Sequence, residues 1–426
     1  KPTLALALSV EFPTVGAQYP APVRGGTTDN SYDASNEYLG YYDAQSCYNY
    51  NNAPTETPAT GLTAADYKRF DRIGPATNRK CSNAFSGNFL NWASNSAIDM
   101  LRLALSGGDR YIDTPDLTIL QRAVLPDGDP MCMWNSSQFP AKQLSRNGGG
   151  ADKYWGAVPD ALITQANGSD IWVANTLNRI YFGTSKTGGC GNTTAHTLGG
   201  PVLNSDGFFY SRVQVCNVNT AGVLQDSRDY GLCKQYPSGK YKPVGVIQKY
   251  SDQMRLAAFG YLMDPTASYN SGRYGGVLRA PMKYVGGKTF DVNGTDNTPT
   301  GGNTAAEWSA TTGVFATNPD ADAMGISGVI NYLNKFGRTG PVQGRYKYYD
   351  PVGELHYETV RYLQGLEPSA AAISNITADM RDGFPVYTSW TDPYGGGRTN
   401  TADYACVKSN IVVVGDTNTH DGGRLP

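Results

Sequence analysis

Charge is scarce in this chain. Lys, Arg, Asp and Glu make up 17% of its 426 residues, against about a quarter in an ordinary soluble domain, and the 35 basic and 37 acidic residues nearly cancel. With no basic surplus there is no global field to draw it onto nucleic acid or an anionic bilayer, so no nucleic-acid partner is expected. Histidine is scarcer still: His196, His356 and His420 are the only three, and no H-E-x-x-H pair occurs. Hydrolytic or nucleophilic chemistry therefore has few bases to draw on. Long apolar runs are missing too. No stretch is long enough to span a bilayer and no signal peptide is present, which fits an expected mature exported chain whose leader has been removed.

The seven cysteines, Cys47, Cys81, Cys132, Cys190, Cys216, Cys233 and Cys406, never form a C-x-x-C pair. Set among long polar loops, they point to disulfides in an oxidising compartment rather than to metal knuckles or dithiol redox chemistry. Catalytic signatures fail on single residues. Lys186-Thr187-Gly188 has no S-x-x-K nucleophile to accompany it. Gly286-Gly287-Lys288-Thr289 ends like a phosphate loop, but Met282 stands where the leading glycine belongs. Asp291-Val292-Asn293-Gly294-Thr295-Asp296 has a misplaced glycine and no closing Glu for a calcium loop, so it reads as a turn. Asp320-Ala321-Asp322 reads equally as an acidic cap for the helix that follows.

What the chain has in excess is Gly (50) and Tyr (29), with much Asn, Thr and Ser. Thr3–Ser9 is a short apolar run that reads as a strand, broken at Phe12-Pro13. A polar, Tyr-rich excursion follows to about residue 81, with Tyr38, Tyr41, Tyr42, Tyr48 and Tyr50, and Cys47 and Cys81 are well placed to close it. Residues 82–105 carry a helical stripe of Phe85, Phe89, Trp92, Ile98, Leu101 and Leu105, opened by Ser and Asn and stopped by Gly107-Gly108; the stripe reads as core packing. Strands are expected within 111–125 and, in a β-rich insertion, at 171–173, 179–182, 208–210 and 212–215. A short helix at 248–255 precedes a second buried strand at 256–263. Helices are expected at 323–336, 352–363 and 369–380. The closing strand, Ile411-Val412-Val413-Val414, reads as buried on both faces at the centre of a parallel sheet, ending on Asp416 at the carboxyl edge where α/β sheets hold ligands. Strands alternating with helices around polar excursions indicate an α/β core with insertions.

Several stretches carry a resemblance: Gly87-Asn88-Phe89-Leu90-Asn91-Trp92-Ala93, Lys240-Tyr241-Lys242-Pro243-Val244-Gly245-Val246-Ile247-Gln248-Lys249-Tyr250, Gly276-Val277-Leu278-Arg279-Ala280, and Asp350-Pro351-Val352-Gly353-Glu354-Leu355-His356-Tyr357-Glu358 with Arg361-Tyr362-Leu363. They resemble the type IV pilus PilC/PilY proteins, biogenesis factors and tip-associated adhesins of Gram-negative bacteria, in the same order from Lys1 to Val414-Gly415-Asp416. The resemblance implies a von Willebrand factor A-like (Rossmann-type) α/β sheet flanked by helices, with large disulfide-linked β and loop insertions. It is expected as one domain over 1–426, its core at about 1–12, 82–125, 245–264 and 321–426 and its insertions at about 13–81, 127–244 and 265–320. The family's C-terminal β-propeller, with its calcium loop, is expected to be missing from this chain, and the end at Pro426 is expected to be that of a fragment. Implied partners are minor pilins at the pilus tip and a host cell-surface protein or glycan. The implied location is extracellular, at the pilus tip or outer surface, reached through the periplasm.

Von Willebrand A domains hold a divalent cation with an Asp-x-Ser-x-Ser run after the first strand, a Thr on a later loop and an Asp after the fourth strand. Here the run falls on Ser9-Val10-Glu11-Phe12-Pro13, Asp350 stands at the Thr position and Asp416 keeps the last element. Ser9, Glu11, Asp350 and Asp416 are thus what is left to hold Mg, Mn or Ca. A hard cation takes six or more oxygens, so the site is expected to be lost or altered. Cys47 is expected to pair with Cys81 and Cys216 with Cys233, with Cys132 and Cys190 also disulfide-bonded and Cys406 left over. The expected function is binding rather than catalysis. Neutral Tyr-rich and Asn-rich loops have the chemistry of antibody paratopes, which makes the insertions, and Tyr38, Tyr41, Tyr42, Tyr48 and Tyr50 in particular, the candidate ligand contacts. The alternatives are a metal-dependent binding module and a secreted carbohydrate-active enzyme using Glu354 and Glu358. Those two lie four apart on one helix face, a spacing more typical of a solvated stripe, and they would need a concave pocket between them.

Overall fold

The computed structural model describes residues 1–10, 12–20, 28–126, 132–186, 206–263, 274–347, 351–395, 405, 407–415 and 425. The chain forms two compact units, one from Lys1–Thr14, Tyr236–Gly239 and Val246–Pro426, the other from Val15–Gln235 and Lys240–Gly245. In chain order the strands are β1 (Thr3–Leu8), β2 (Thr28–Asp29), β3 (Ser46–Asn51), β4 (Arg69–Pro75), β5 (Phe85–Ser86), β6 (Arg110–Asp113), β7 (Thr118–Gln121), β8 (Ala141–Leu144), β9 (Ile171–Thr176), β10 (Arg179–Gly183), β11 (Phe209–Tyr210), β12 (Arg212–Gln214), β13 (Cys233–Gln235), β14 (Tyr241–Pro243), β15 (Arg255–Gly260), β16 (Val277–Lys283) and β17 (Ser409–Val414).

The first unit is built on β1, whose sequence Thr-Leu-Ala-Leu-Ala-Leu has no polar face to turn to solvent. It runs parallel to β15 on one side, with Thr3 opposite Arg255, and to β17 on the other, with Leu8 opposite Val414. β16 pairs antiparallel with β15, giving the order β16-β15-β1-β17. Successive residues of β15 face opposite ways. Phe259 packs with Leu355 and Tyr362 of the helix Val352–Leu363 and with Trp390. Gly260 faces Tyr332 of the helix Val329–Lys335, and a Cβ there would lie 1.7 Å from the Tyr332 hydroxyl oxygen. Helices therefore cover both faces of this sheet.

The helix expected at 323–336 begins only at Val329. Before it, the Asn318 side chain accepts from the Asp322 amide (3.0 Å) and donates to its carbonyl (2.8 Å), holding the segment in turns that compete with a helix. The buried Glu307 carboxylate then caps the helix, accepting from the Val329 and Ile330 amides at 2.8 and 2.7 Å. The stretch 369–380 is two short helices, Ala370–Ile373 and Ala378–Arg381, parted at Asn375, whose φ is 52°. The closing strand forms as expected, but its place is corrected. Among the described residues β17 pairs only with β1, and Val412 and Val413 are 42% and 40% exposed, so it is an edge strand and not one buried on both faces.

The second unit contains a six-stranded sheet, β5-β3-β4-β12-β7-β6, a five-stranded sheet, β11-β10-β9-β8-β2, and the hairpin β13-β14. Residues 82–125, expected beside β1, lie in this unit and supply β5, β6, β7 and two helices, α1 (Gly87–Ser94) and α2 (Ala97–Ser106). One helix was expected here; the chain breaks at Asn95, which is extended, before Ser96 starts the next helix. Ser86 opens α1 by accepting from the Phe89 amide, and a left-handed Gly107 closes α2. Phe70, Phe85, Phe89, Trp92, Phe182 and Phe209 form the centre of the core. The excursion 13–81 is no structureless loop, since β3 and β4 pair antiparallel along most of their length.

Candidate functional site

The site is built from two loops of the second unit. Asn88 and Asn91, both fully buried on α1, shape the first. Asn88 accepts from the Tyr38 amide (2.7 Å) and donates to the Asn36 carbonyl (2.9 Å). Asn91 accepts from the Tyr42 amide (3.1 Å) and donates to the Tyr38 and Tyr42 carbonyls (2.7 and 2.8 Å). Each amide side chain thus serves loop donors and acceptors as a neighbouring strand would. Gly40 lies hard against Asn91, and a Cβ there would be 2.2 Å from Oδ1.

This arrangement turns the tyrosines inward. Tyr38, Tyr41, Tyr42 and Tyr48 are buried, and Tyr50 packs edge-on against Phe70 and Phe209. Four of the hydroxyls take backbone donors: Tyr38 from Asp33 (3.3 Å), Tyr41 from Asp109 (2.9 Å), Tyr48 from Asp43 (2.8 Å) and Tyr50 from Tyr210 (3.2 Å). Burial raises all five hydroxyls above the ordinary tyrosine value. For Tyr38, Tyr41, Tyr48 and Tyr50 the expected ligand-contacting surface is therefore corrected. A tyrosine whose hydroxyl finds a backbone partner is as good a core residue as phenylalanine.

The second loop is closed by the Cys216–Cys233 disulfide, and Cys47–Cys81 fastens β3, directly after the first loop; both pairs are those expected. The Cys132 side chain, Cys190 and Cys406 lie outside the described residues. Between the loops is a pocket of about 150 Å³ whose lining includes Glu37, Leu39, Tyr42, Asp43, Arg228 and Tyr230. Asp43 ties its walls together. It accepts from the Gln45 amide (3.0 Å) and Ser46 hydroxyl (2.7 Å) on its own side, and from the Ser227 amide (3.1 Å) and hydroxyl across the pocket. Burial works to raise its pKa, but the Ser227 and Ser46 hydroxyls and the Arg228 charge outweigh it and hold the carboxyl below its usual range.

The Arg228 side chain is only 5% exposed. Its Nη2 donates to the Tyr41 carbonyl at 2.7 Å and its Nε lies 3.4 Å from Asp226, but among the described residues neither Nε nor Nη1 has a hydrogen-bond partner of good geometry. At the mouth, Tyr230 and Leu39 are 44% and 42% exposed. Burial raises the Tyr230 hydroxyl, with Arg228 pulling the other way. Glu37 and Asp229 are exposed, and neither has a hydrogen-bond or ion-pair partner among the described residues. Of the expected contacts, only Tyr42 lines this pocket. Sequence reasoning missed the rest, although Asp226-Ser227-Arg228-Asp229 puts three charges in four residues of a charge-poor chain.

Of the expected cation-site residues only Ser9 is described. Ser9 follows β1, fully buried, its amide donating to the Val414 carbonyl at 2.8 Å and its hydroxyl without a hydrogen-bond partner. Glu11, Asp350 and Asp416 lie outside the described residues. No group of three or more His, Cys, Asp or Glu side chains suited to a metal occurs among those described.

Glu354 and Glu358 are not a solvated stripe. Both are fully buried, because the backbone of Tyr274-Gly275-Gly276 presses against their helix. Glu354 accepts from the Gly275 amide (2.5 Å), and Glu358 from the Tyr274 hydroxyl (3.0 Å) and Ser369 amide (3.2 Å). Among the described residues no helix is long and apolar enough to cross a membrane.

Comparison with known proteins supplies the context for these loops. A family model described as PilY1 homolog, small alpha/beta domain, matches residues 29–139, and one described as PilY1 homolog, second domain, matches 259–426; together they take in more than half of the chain. Two curated relatives from Xylella fastidiosa (strain Temecula1 / ATCC 700964), each named type IV pilus biogenesis factor PilY1 homolog, are 32% identical over 452 residues and 25% identical over 436. The matches cover 99% and 91% of this chain but 33% and 26% of the relatives, so the chain spans a third or less of their length. No solved structure matches. With both domain models in place and an alignment that spans 99% of it, the chain belongs to the PilY1 homolog family of type IV pilus biogenesis factors.

Proposed function

We propose that this chain is the part of a pilus-biogenesis factor that stands at the pilus tip, outside a Gram-negative cell, where it primes assembly with minor pilins and binds host-surface protein or glycan through loops of its second unit. The observation that carries this reading is the similarity over 99% of the chain to a protein named as a type IV pilus biogenesis factor. Within it we read the first unit as a von Willebrand factor A-like sheet. Numbered within that unit, its strands lie in the order 3-2-1-4, with which a doubly wound sheet begins, and the third, reversed, is the kind of antiparallel edge such sheets accept. We read the protein as a binder rather than an enzyme, since Glu354 and Glu358 are both held by backbone and tyrosine donors in the core.

Gold-labelled antibody against this chain, applied to sheared pili, tests the placement: label at one end of the filament is expected, and label spread along the shaft overturns it. Deleting the gene is expected to strip the cell of surface pili and restoring it to bring them back. Unchanged piliation in the deletion strain would overturn the biogenesis role.

A further inference from the structure

We propose that the pocket between Asp43 and Arg228 binds one hexose-sized residue of a neutral glycan, an inference that rests on the binding role above and names its ligand class. A sugar hydroxyl donates and accepts at once, so a site for it needs both kinds of partner around one small cavity. The acceptors are Glu37 and Asp229, exposed beside the cavity and without partners among the described residues. The donor is Arg228. Its guanidinium is anchored through Nη2 on the Tyr41 carbonyl, with Asp226 3.4 Å from Nε and Tyr230 beside it, and among the described residues neither Nε nor Nη1 has a hydrogen-bond partner of good geometry in a side chain only 5% exposed. A buried donor left in that state is unfavourable, and a ligand oxygen completes it.

The apolar part of a pyranose, its C–H face, meets Tyr230 and Leu39, the two large side chains exposed at the mouth. Other ligand classes match less of this surface. Three carboxylates, Glu37, Asp43 and Asp229, against one guanidinium disfavour an anion. A lysine or arginine side chain from a partner protein would satisfy the acids but leave Nη1 unmatched. The walls are also formed in advance. Asp43 bonds both loops, Asn91 fixes one and the Cys216–Cys233 disulfide closes the other, so little ordering accompanies binding.

The test is ligand-observed saturation-transfer NMR on the purified, disulfide-intact chain with methyl α-mannopyranoside, methyl β-galactopyranoside and N-acetylglucosamine at millimolar concentration. At least one sugar is expected to receive saturation, strongest at its ring C–H protons. Tyr230→Ala and Asp229→Asn should each weaken its binding by roughly tenfold, with thermal midpoint and disulfide content confirming the fold. Silence from all three sugars overturns the proposal, as does binding that survives both substitutions together. Preferential binding of Nα-acetyl-lysine amide also overturns it, making this a pocket for basic side chains. Piliation of the deletion strain is scored separately, so the sugar site and the biogenesis role fail independently.

Discussion

Asp382 gives the first unit a stability that falls as pH rises. It sits in the left-handed region, φ 53°, just after the helix Ala378–Arg381; it is 6% exposed, and its Oδ1 has no hydrogen-bond partner. Burial pushes its pKa up to about 7, with Arg279 and Arg345 pulling it down and Asp379 pushing it further up. An unfolded aspartate titrates near 3.9, so folding favours the protonated form. Its contribution is fully present below about pH 4, is lost progressively as pH rises towards 7, and changes little above that. Three units at about 1.4 kcal/mol each set an upper limit of roughly 4 kcal/mol. Asp382→Asn keeps the shape, tolerates the left-handed backbone and cannot ionise. Urea unfolding at pH 5 and pH 8, followed through the fluorescence of Trp390 in the same unit, is expected to show the variant gaining 2 kcal/mol or more, as an order of magnitude, on the wild type between the two. Buried Glu307, whose pKa is also raised by burial, slopes the same way in both proteins and cancels in the comparison. Parallel pH profiles for wild type and variant would refute the reasoning.

Two further outcomes follow from the clamps that hold each unit. Cys216→Ser opens a loop of 17 residues and is expected to remove about 3 kcal/mol through the loop entropy of the unfolded chain, measurable by urea titration; a loss under about 1 kcal/mol would mean that the loop is held mainly by Asp43. Arg279, 2% exposed, donates to the carbonyls of Tyr261 (2.5 Å) and Arg381 (2.7 Å), with Phe384 and Pro385 at 3.3 Å, so Arg279→Leu strands several buried acceptors and should destabilise the first unit by roughly 3–5 kcal/mol. An unfolding midpoint within error of the wild type would contradict that role.

Periodicity made the strands and helices legible wherever a single physical force decided them. β1 and the helix Val352–Leu363 declare themselves because burial alone sets their pattern. The helix expected from 323 failed because Asn318, Asp322 and Glu307 offered the backbone better partners, and no apolar spacing records such bonds. The run Ile411-Val412-Val413-Val414 has the composition of a central strand. Whether a strand has one neighbour or two depends on what lies beside it, which its own residues do not encode.

The tyrosines and glutamates were misread for a common reason: composition reports polarity, not its direction. A Tyr-rich, Asn-rich loop has the same composition whether its hydroxyls meet ligand or backbone, and Asn88 and Asn91 decide for backbone. The same holds for the stretches that carry the family resemblance. Asn91, Lys242, Arg279, Glu354 and Glu358 are each buried and each bonded to main chain or to a buried polar group nearby. Such residues are hard to replace, because removing one leaves its partner unsatisfied in a low dielectric. The mouth of the pocket is different: Glu37, Leu39, Asp229 and Tyr230 stand exposed at loop positions above Asp43 and Arg228 and belong to none of those stretches. Because they are exposed, substitution at these positions costs the fold less than substitution at the buried clamps.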